Sequence, residues 1–348
     1  MSTADVCVVI LWIGVTLYAI FGGADFGAGV WDLLAGKSQP ESGGADAPPL
    51  ATRVRNQIDR SIGPVWEANH VWLIFVLVVL WTGFPSLFSA IMTTLYIPLA
   101  LAALGIVLRG SGFAFRHALP GPAQWPATRV FGVASLLTPF FMGTVVGAIA
   151  SGEVPAGGDG DPTASWTGFL PLVTGALFVA VAAYTAAVFL VRDSGASGEE
   201  ELRDYFARRA LVVAVVAGVG AVIGVIALHR DARFVYDGLT SWPGIALVIL
   251  SGVCGLAALG LLVSGRNRGL RVAAVGAGVA MIWGYFAAAF PYVLPTSLTI
   301  SGAAGASATL TAVIVVFAAA AVTVIPSLAL LYMLSQRSAL ESYSSSGE

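Results

Sequence analysis

Nine apolar runs follow one another along the chain and leave little sequence for any soluble domain. A membrane-spanning helix needs about 17–25 mostly apolar residues, and the runs meet this length, the second one only if it begins near Ser61. With 57% hydrophobic and 10% charged residues, the composition is typical of a polytopic membrane protein. We therefore predict one all-α integral membrane domain over residues 1–348, with spans at about 6–34, 66–81, 88–108, 130–150, 168–191, 210–228, 243–264, 271–294 and 308–334.

The positions of lysine and arginine predict the orientation of the chain. They lie outside the apolar runs or, for Arg271, at the first residue of one, and all except Arg230 and Arg233 fall in or beside the loops after the odd-numbered spans or in the C-terminal tail. By the positive-inside rule, the N-terminus lies outside the cell and the C-terminus lies in the cytoplasm. The first run lacks a basic start and a clear cleavage site, so we interpret it as a retained helix.

Two polar segments interrupt this pattern. Residues 36–50 form a Gly/Pro/Ser-rich insert that cannot bury an apolar face, and we expect it to be a flexible cytoplasmic loop. Residues 335–348 form a C-terminal tail that is too polar to pack. The net charge of -2 is spread along the chain, so the sequence does not predict a basic patch that would bind nucleic acid. Cys7 and Cys254 lie in different runs without a CxxC pattern, so no thiolate metal site is predicted.

Ionisable residues stand inside two of the apolar runs. Glu67, Asn69 and His70 lie near the start of one run, and on a helix Glu67 and His70 share a face. Asp25 lies in the middle of the first run, between two glycines whose spacing favours close helix packing. Such residues cost about 2.5–3.5 kcal/mol at membrane depth and therefore indicate function. Asp32 lies near the predicted cytoplasmic boundary, where contact with water explains an acid better than a function within the membrane does.

The residues alone leave the role of these groups open. The carboxyl groups of Asp25 and Glu67 could relay protons or could pin helices together, and both interpretations have equal weight. His70 could be a haem or metal ligand, a hydrogen-bond partner of Glu67 or a core histidine, and the second is favoured. With three histidines in the whole chain, a multi-haem or His-rich metal centre cannot be built. We predict no metal site in this chain.

Several sequence blocks carry a family resemblance. Residues 23–30, GADFGAGV, are similar to a GFDFGVG signature, and residues 61–74, SIGPVWEANHVWLI, are similar to a block of the form P-x-W-[DE]-x-N-[HQ]-V-W-L. Further matching blocks lie at 84–117, 138–147 and 290–300, in the same order from the first span to the last. On these blocks the chain resembles subunit II of the cytochrome bd-type quinol oxidases.

The resemblance implies an architecture and a partner. Nine transmembrane helices are expected, arranged as two four-helix bundles plus one peripheral helix, in a bacterial inner membrane. A homologous subunit I is expected to carry haem b and haem d, to oxidise quinol and to reduce dioxygen to water, so this chain binds no haem alone. The complex would generate proton-motive force without pumping. The resemblance leaves open whether this subunit holds a structural quinone and whether the complex has small accessory subunits.

The resemblance also carries over to single residues in the acidic blocks. Asp25 and Glu67 match acids tied to proton delivery or haem-site integrity, and His70 and Asn69 are expected to hold the geometry. One departure is Gly22, which stands where many family members have a further acid.

Four other residues are expected to mark the signature or the interface with the partner subunit. Trp66 and Trp72 belong to the second block. Arg109 matches an arginine of the third-helix block and is expected to face the partner. Arg116 is a weaker candidate, because a solvated loop arginine explains it equally well.

Two other classes of membrane protein compete with the oxidase interpretation. In a proton-coupled transporter or channel, the same buried acids would bind an ion, and broken helices are expected in both halves of the fold. The region of Pro291 and Pro295 could form such a break, but the first half has no counterpart. A paralogue that keeps the scaffold without an oxidase partner is the other alternative.

Overall fold

The structure, a computed structural model, describes residues 2–36, 48–119 and 124–345, except for the side chains of residues 62–68, 117, 325, 328–329 and 331–345. The regular secondary structure of the described chain is helical apart from one short hairpin, as expected where a helix satisfies its own backbone hydrogen bonds within lipid. The elements are α1 (Thr3–Leu34), α2 (Leu50–Gly83), α3 (Pro85–Thr94), α4 (Tyr96–Ala118), α5 (Gln124–Ala150), α6 (Ala164–Thr167), α7 (Phe169–Ala196), α8 (Glu200–Asp231), α9 (Arg233–Thr240), α10 (Gly244–Val263), α11 (Leu270–Ala289), β1 (Tyr292–Leu294), β2 (Leu298–Thr299), α12 (Ile300–Ala303) and α13 (Ser307–Ser345).

The long helices confirm the predicted class of fold. Among the described residues, 8 helices are long and apolar enough to cross a membrane: α1, α4, α5, α7, α8, α10, α11 and α13. The end of α2 and the whole of α3 meet at a bend of 115° and form a further candidate span. The protein is therefore an all-α polytopic membrane protein, and the division into two four-helix bundles plus one peripheral helix stays a prediction.

The outer surface of the helices is apolar. On α8, Val212, Val215, Val219 and Val222 are each more than half exposed. Water would disfavour such a continuous apolar face, whereas lipid tails are as apolar as the side chains themselves. These faces are thus consistent with a chain whose long helices are surrounded by lipid or by a membrane partner.

Two predicted spans cross a break between observed elements. The predicted span 88–108 covers parts of α3 and α4, which are separated at Leu95. Pro98 lies in the first turn of α4, where its missing N–H needs no intrahelical acceptor, so a new helix can begin there. The predicted span 271–294 ends too late, because α11 ends at Ala289 and the antiparallel hairpin of β1 and β2 follows.

The two predicted polar segments are only partly described by the structure. The insert at 36–50 falls mainly on residues 37–47, which lie outside the described residues. The tail at 335–348 begins within α13, whose side chains are described no further than Leu330. The flexibility of the insert and the lack of packing of the tail stay predictions.

Ion pairs gather at one end of the helices. Arg53 near the start of α2 contacts Glu199 over 2.6 Å, just after α7 ends. Two residues further along α2, Arg55 contacts Asp32 over 2.8 Å near the end of α1. Because these contacts join the ends of α1 and α7 to the start of α2, we call this side of the molecule the arginine-rich end.

Glycines let α1 and α5 approach α7 closely. A Cβ atom added at Gly27 of α1 would lie 1.9 Å from the backbone oxygen of Ala182 in α7. One added at Gly147 of α5 would lie 2.5 Å from the Cα of Pro171, also in α7. Real Cβ atoms do not come this close to backbone atoms, so only glycine permits these helix contacts.

We expect Gly27→Ala to lower the melting temperature of the detergent-purified protein. The new methyl group would overlap the backbone of α7, and overpacking of this kind typically costs about 1–3 kcal/mol. Gly252→Ala on α10 is the matched control, since no atom lies within 4 Å of its added Cβ. Differential scanning fluorimetry of both variants would measure this, and equal melting temperatures would contradict the close approach.

Candidate functional site

A buried ion pair joins Asp25 on α1 to Arg109 on α4. Arg109 Nη2 donates to Asp25 Oδ1 over 2.6 Å, and Nη1 donates to Oδ2 over 2.9 Å. Nη2 also donates to the backbone oxygen of Asp25 over 3.1 Å. The two side chains are 0% and 3% exposed. The forked guanidinium therefore holds both carboxylate oxygens in a site that solvent does not reach.

Two further helices complete the hydrogen bonding of this pair. Arg109 Nε donates to Ser135 Oγ of α5 over 2.9 Å, and the Ser135 hydroxyl donates to the backbone oxygen of Phe131 over 2.7 Å. Asn69 Nδ2 of α2 donates to Asp25 Oδ2 over a longer 3.4 Å. Side chains from α1, α2, α4 and α5 thus converge on one salt bridge.

Because the pair is buried, its effect on stability depends on how well the attraction between the charges offsets the loss of their hydration. The attraction between two charges in a low-dielectric interior offsets their desolvation only when the geometry is good and the remaining donors are satisfied. Here every nitrogen of the Arg109 guanidinium and both oxygens of Asp25 have partners. Removal of one member would leave the other charge buried and unpaired, which costs about 3–5 kcal/mol.

A second ion pair repeats the arrangement two helical turns further along. Asp32 follows Asp25 by seven residues on α1, and Arg116 follows Arg109 by seven residues on α4. Arg116 Nη1 donates to Asp32 Oδ2, and Asp32 is fully buried. We call the four residues of these two pairs the ion-pair ladder.

The second pair also has partners on α2. Arg55 Nε donates to Asp32 Oδ1 over 2.8 Å, so both oxygens of this carboxylate accept from arginine. Arg116 Nη2 donates to Asp59 Oδ1, and the Asp59 side chain is 33% exposed. The ladder therefore runs from a fully buried pair toward the arginine-rich end, where solvent begins to reach the acids.

Phe131 of α5 lies between the two arginines of the ladder. The guanidinium carbon of Arg109 is 4.7 Å from the centroid of its ring, and that of Arg116 is 4.8 Å away. Both distances are within the range of attractive cation–π contacts, which strengthen when the groups are desolvated. Because Phe131 is 2% exposed, it also keeps water away from the space between the two pairs.

Three residues lie in surroundings that differ from a sequence-based interpretation. Arg109 is 2% exposed within this chain alone and points to Asp25, so it does not face a partner subunit. Arg116 is 7% exposed and ion-paired, so it is not a solvated loop residue. Asp32 is fully buried, so solvation does not explain it. The reason is common to all three: α4 continues to Ala118 and carries both arginines inward.

Other sequence-predicted residues lie on α2 near the first ion pair. Asn69 is 1% exposed and contacts Asp25, and its expected role in holding geometry stays a prediction. His70 is half-buried, and Trp72 is half-buried with an edge-on contact to Phe75 at 5.9 Å between ring centroids. The side chains of Glu67 and Trp66 lie outside the described residues, so their predicted roles stay predictions.

Gly22 lies against the same asparagine. A Cβ atom added there would be 3.1 Å from Asn69 Oδ1, closer than most real Cβ contacts. The glycine therefore lets Asn69 approach α1 closely enough to reach Asp25. A larger side chain at this position would require Asn69 to shift.

Sequence reasoning missed the partners of the buried acids. Ser135, Phe131, Arg55 and Asp59 were not singled out, although each contacts the ion-pair ladder. One signal could have indicated the ladder, because the acids of α1 and the arginines of α4 have the same seven-residue spacing. That spacing predicts two matched pairs if the two helices run in the same direction.

The fold and the site define a polytopic membrane protein whose buried charges are arranged to bind one another. Within the part of the chain that the structure describes, no group of three or more His, Cys, Asp or Glu could hold a metal ion. The salt bridges leave the carboxylates of the ladder no free oxygen for a cation.

Comparison with known proteins assigns the family. A family model described as cytochrome bd terminal oxidase subunit II matches residues 3–335. The chain is 23% identical over 299 residues to cytochrome bd ubiquinol oxidase subunit 2 of Bacillus subtilis (strain 168), covering 84% of this chain and 81% of that one. It is 25% identical over 146 residues to cytochrome bd-I ubiquinol oxidase subunit 2 of Escherichia coli (strain K12), covering 41% and 35%.

A solved structure has the same fold. A chain of the bd oxidase from Geobacillus thermodenitrificans superposes with a TM-score of 0.78 at 24% identity, covering 96% of this chain and 98% of that one. The chain therefore belongs to the cytochrome bd terminal oxidase subunit II family, which confirms the resemblance seen in its motifs. It is a bacterial inner-membrane subunit of an oxidoreductase complex, and this membership separates it from the transporter class.

We expect Asp25→Asn to destabilise the purified protein strongly, because it leaves the Arg109 guanidinium buried without a counter-charge. The loss should approach the ~3–5 kcal/mol typical of a broken buried pair. The double variant Asp25→Asn/Arg109→Gln removes both charges and should recover part of the loss. Melting temperatures should rank wild type, then double, then single variant, and a single variant as stable as wild type would contradict the ladder's role.

Proposed function

We propose that this chain is the haem-free subunit of a quinol oxidase and works in complex with a haem-bearing subunit I. The observation that carries the proposal is the family match over residues 3–335, supported by relatives that are named ubiquinol oxidase subunits. In this proposal subunit I binds haem b and haem d, oxidises quinol and reduces dioxygen to water. This chain supports the haem site and contributes a path for protons.

The orientation of the chain follows from its charges. Since the positive-inside rule places arginine-rich loops in the cytoplasm, the arginine-rich end faces the cytoplasm. Reduction of one dioxygen to two waters consumes four electrons and four protons. If those protons come from the cytoplasm while quinol releases its protons outside, the reaction generates proton-motive force without a pump.

The geometry of Asp25 favours the pinning role over the relay role. A proton carrier must free one carboxylate oxygen and turn toward the next acceptor. Both oxygens of Asp25 instead accept from Arg109, and one of them accepts from Asn69 as well. We therefore assign Asp25, Arg109 and Asn69 to support of the haem site through the packing of α1, α2, α4 and α5.

Glu67 is the better candidate for a proton path. It belongs to α2 and lies two residues before Asn69 in the sequence. His70 is half-buried on the same helix and is proposed to hold the geometry of the path.

The same helix offers a surface to a membrane partner. Val71 and Ile74 are 60% and 61% exposed, which gives α2 an apolar face. Trp72 lies between them and is proposed to contact subunit I.

We expect a tagged form of this chain to purify from its native membrane with a stoichiometric second membrane subunit. A reduced-minus-oxidised visible spectrum of the preparation should show b- and d-type haem bands, because the partner carries the haems. A subunit gel of the same sample measures the stoichiometry. A well-folded chain that purifies alone and without haem would instead indicate a scaffold paralogue.

We expect Glu67→Gln to lower oxygen consumption per haem d while leaving the haem d content unchanged. The amide keeps the size of the side chain but cannot carry a proton. Asp25→Asn/Arg109→Gln should show the opposite pattern, with reduced haem d content but normal turnover for each haem d that remains. Asp161→Asn, in the loop before α6, is the control for the loss of an acid. Full turnover in an assembled Glu67→Gln complex would rule out an essential relay at this position.

A further inference from the structure

A basic pocket opens at the arginine-rich end, between the end of α7 and the start of α11. Its volume is about 360 Å³, and Arg192, Arg268, Arg271 and Asn267 line it. No residue of the ion-pair ladder lines this pocket, so it is separate from the site described above. Its chemistry is that of an anion-binding site.

The pocket has more positive charge than the surrounding protein neutralises. Arg271 Nη2 pairs with Asp193 Oδ1 over 2.5 Å and donates to the backbone oxygen of Phe189 over 2.8 Å. Among the described residues, no carboxylate pairs with Arg192 or Arg268, and Arg271 Nε is buried without a hydrogen-bond partner. A single described carboxylate therefore balances three guanidinium groups, and donors remain for an added anion.

The local backbone keeps the pocket open and adds donors to it. Gly269, which lines the pocket, has a φ of 87° and directly precedes α11. Leu270 N, the first amide of that helix, donates to the backbone oxygen of Asn267 over 3.4 Å. No side chain caps the helix, so the next amides, those of Arg271 and Val272, remain available to an anion. Gly195 also lines the pocket, and a Cβ atom there would lie 2.9 Å from Asn267 Nδ2. Glycine at this position leaves room for the amide of Asn267.

The rim of the pocket is apolar on one side. Val272 lines the pocket and is 76% exposed, and Val263 at the end of α10 is 71% exposed. A soluble phosphate ion gains no favourable contact from an apolar surface. A phospholipid, in contrast, presents a phosphate and an acyl chain next to each other. Basic pockets between membrane helices at the cytoplasmic side are suited to anionic lipid headgroups.

We propose that this pocket binds the phosphate of an anionic phospholipid. The phosphate contacts Arg192, Arg268 and Arg271, and an acyl chain lies along Val272 and Val263. The proposal requires that the chain lies in a membrane, but it does not depend on oxidase activity. Bound lipid would join the end of α7 to the turn between α10 and α11.

The test uses the purified complex in a nonionic detergent, titrated with phosphatidylglycerol and separately with phosphatidylcholine. Native mass spectrometry counts the lipids that each complex retains. The test variant is Arg192→Gln/Arg268→Gln, which leaves the Arg271 pair intact. Its control is Arg208→Gln/Arg266→Gln, which removes the same charge from two exposed arginines that do not line the pocket.

We expect wild type and the control to retain phosphatidylglycerol in preference to phosphatidylcholine. The test variant should bind phosphatidylglycerol about tenfold more weakly, because each arginine near an anionic lipid adds to its attraction. Equal retention by all three proteins would overturn the proposal. A haem spectrum of the same samples reports on the proposed function separately, since lipid retention does not require haem.

Two further measurements keep the outcomes distinct. If the double variant fails to fold, the single variant Arg268→Gln in the turn replaces it, with an expected weakening of about threefold. Inorganic phosphate is titrated into the same complexes and followed by melting temperature. Stabilisation by phosphate that depends on these arginines, with no competition from phosphatidylglycerol, would identify a soluble anion as the ligand and overturn the lipid assignment.

Discussion

The charge pair of Asp25 and Arg109 has no access to water, and the packing around it follows from that constraint. Each donor and acceptor must find its partner within the protein, because lipid offers none. Arg109 meets the requirement with contacts to Asp25 and Ser135, and Asn69 adds a donor from α2. Side chains from four helices, α1, α2, α4 and α5, are thereby held together.

The repeat of the pair two turns further along adds a second constraint. Small residues such as Gly27 let helices approach closely, but apolar contacts by themselves allow sliding. Two acids on α1 and two arginines on α4 with equal spacing match in one axial register only. The ring of Phe131 lies between the two arginines, where it separates the pairs and excludes water from the space between them. This arrangement fits the role proposed above, in which the chain supports a haem site in its partner subunit.

Sequence reasoning reached the fold class and the family because both rest on local patterns. The length of each apolar run indicates a membrane helix, and the block around Glu67 and Asn69 carries the resemblance to the family whose model matches residues 3–335. Arg109 and Arg116 were misplaced because hydropathy ends the third run at residue 108, whereas α4 continues to Ala118. A charged residue lowers the hydropathy of a window whether its partner is water or a buried acid, so the pattern could not reveal the extension.

What the sequence by itself determined is that this chain lies in a membrane, which family it belongs to and that Asp25 needs an explanation. Only the tertiary structure decided the explanation, since Asp25 and Arg109 are 84 residues apart and sit on helices that are not consecutive. Apolar side chains facing lipid, a partner or another helix are alike in composition. Which helix faces which depends on the packing of the whole chain, and that packing pairs the charges.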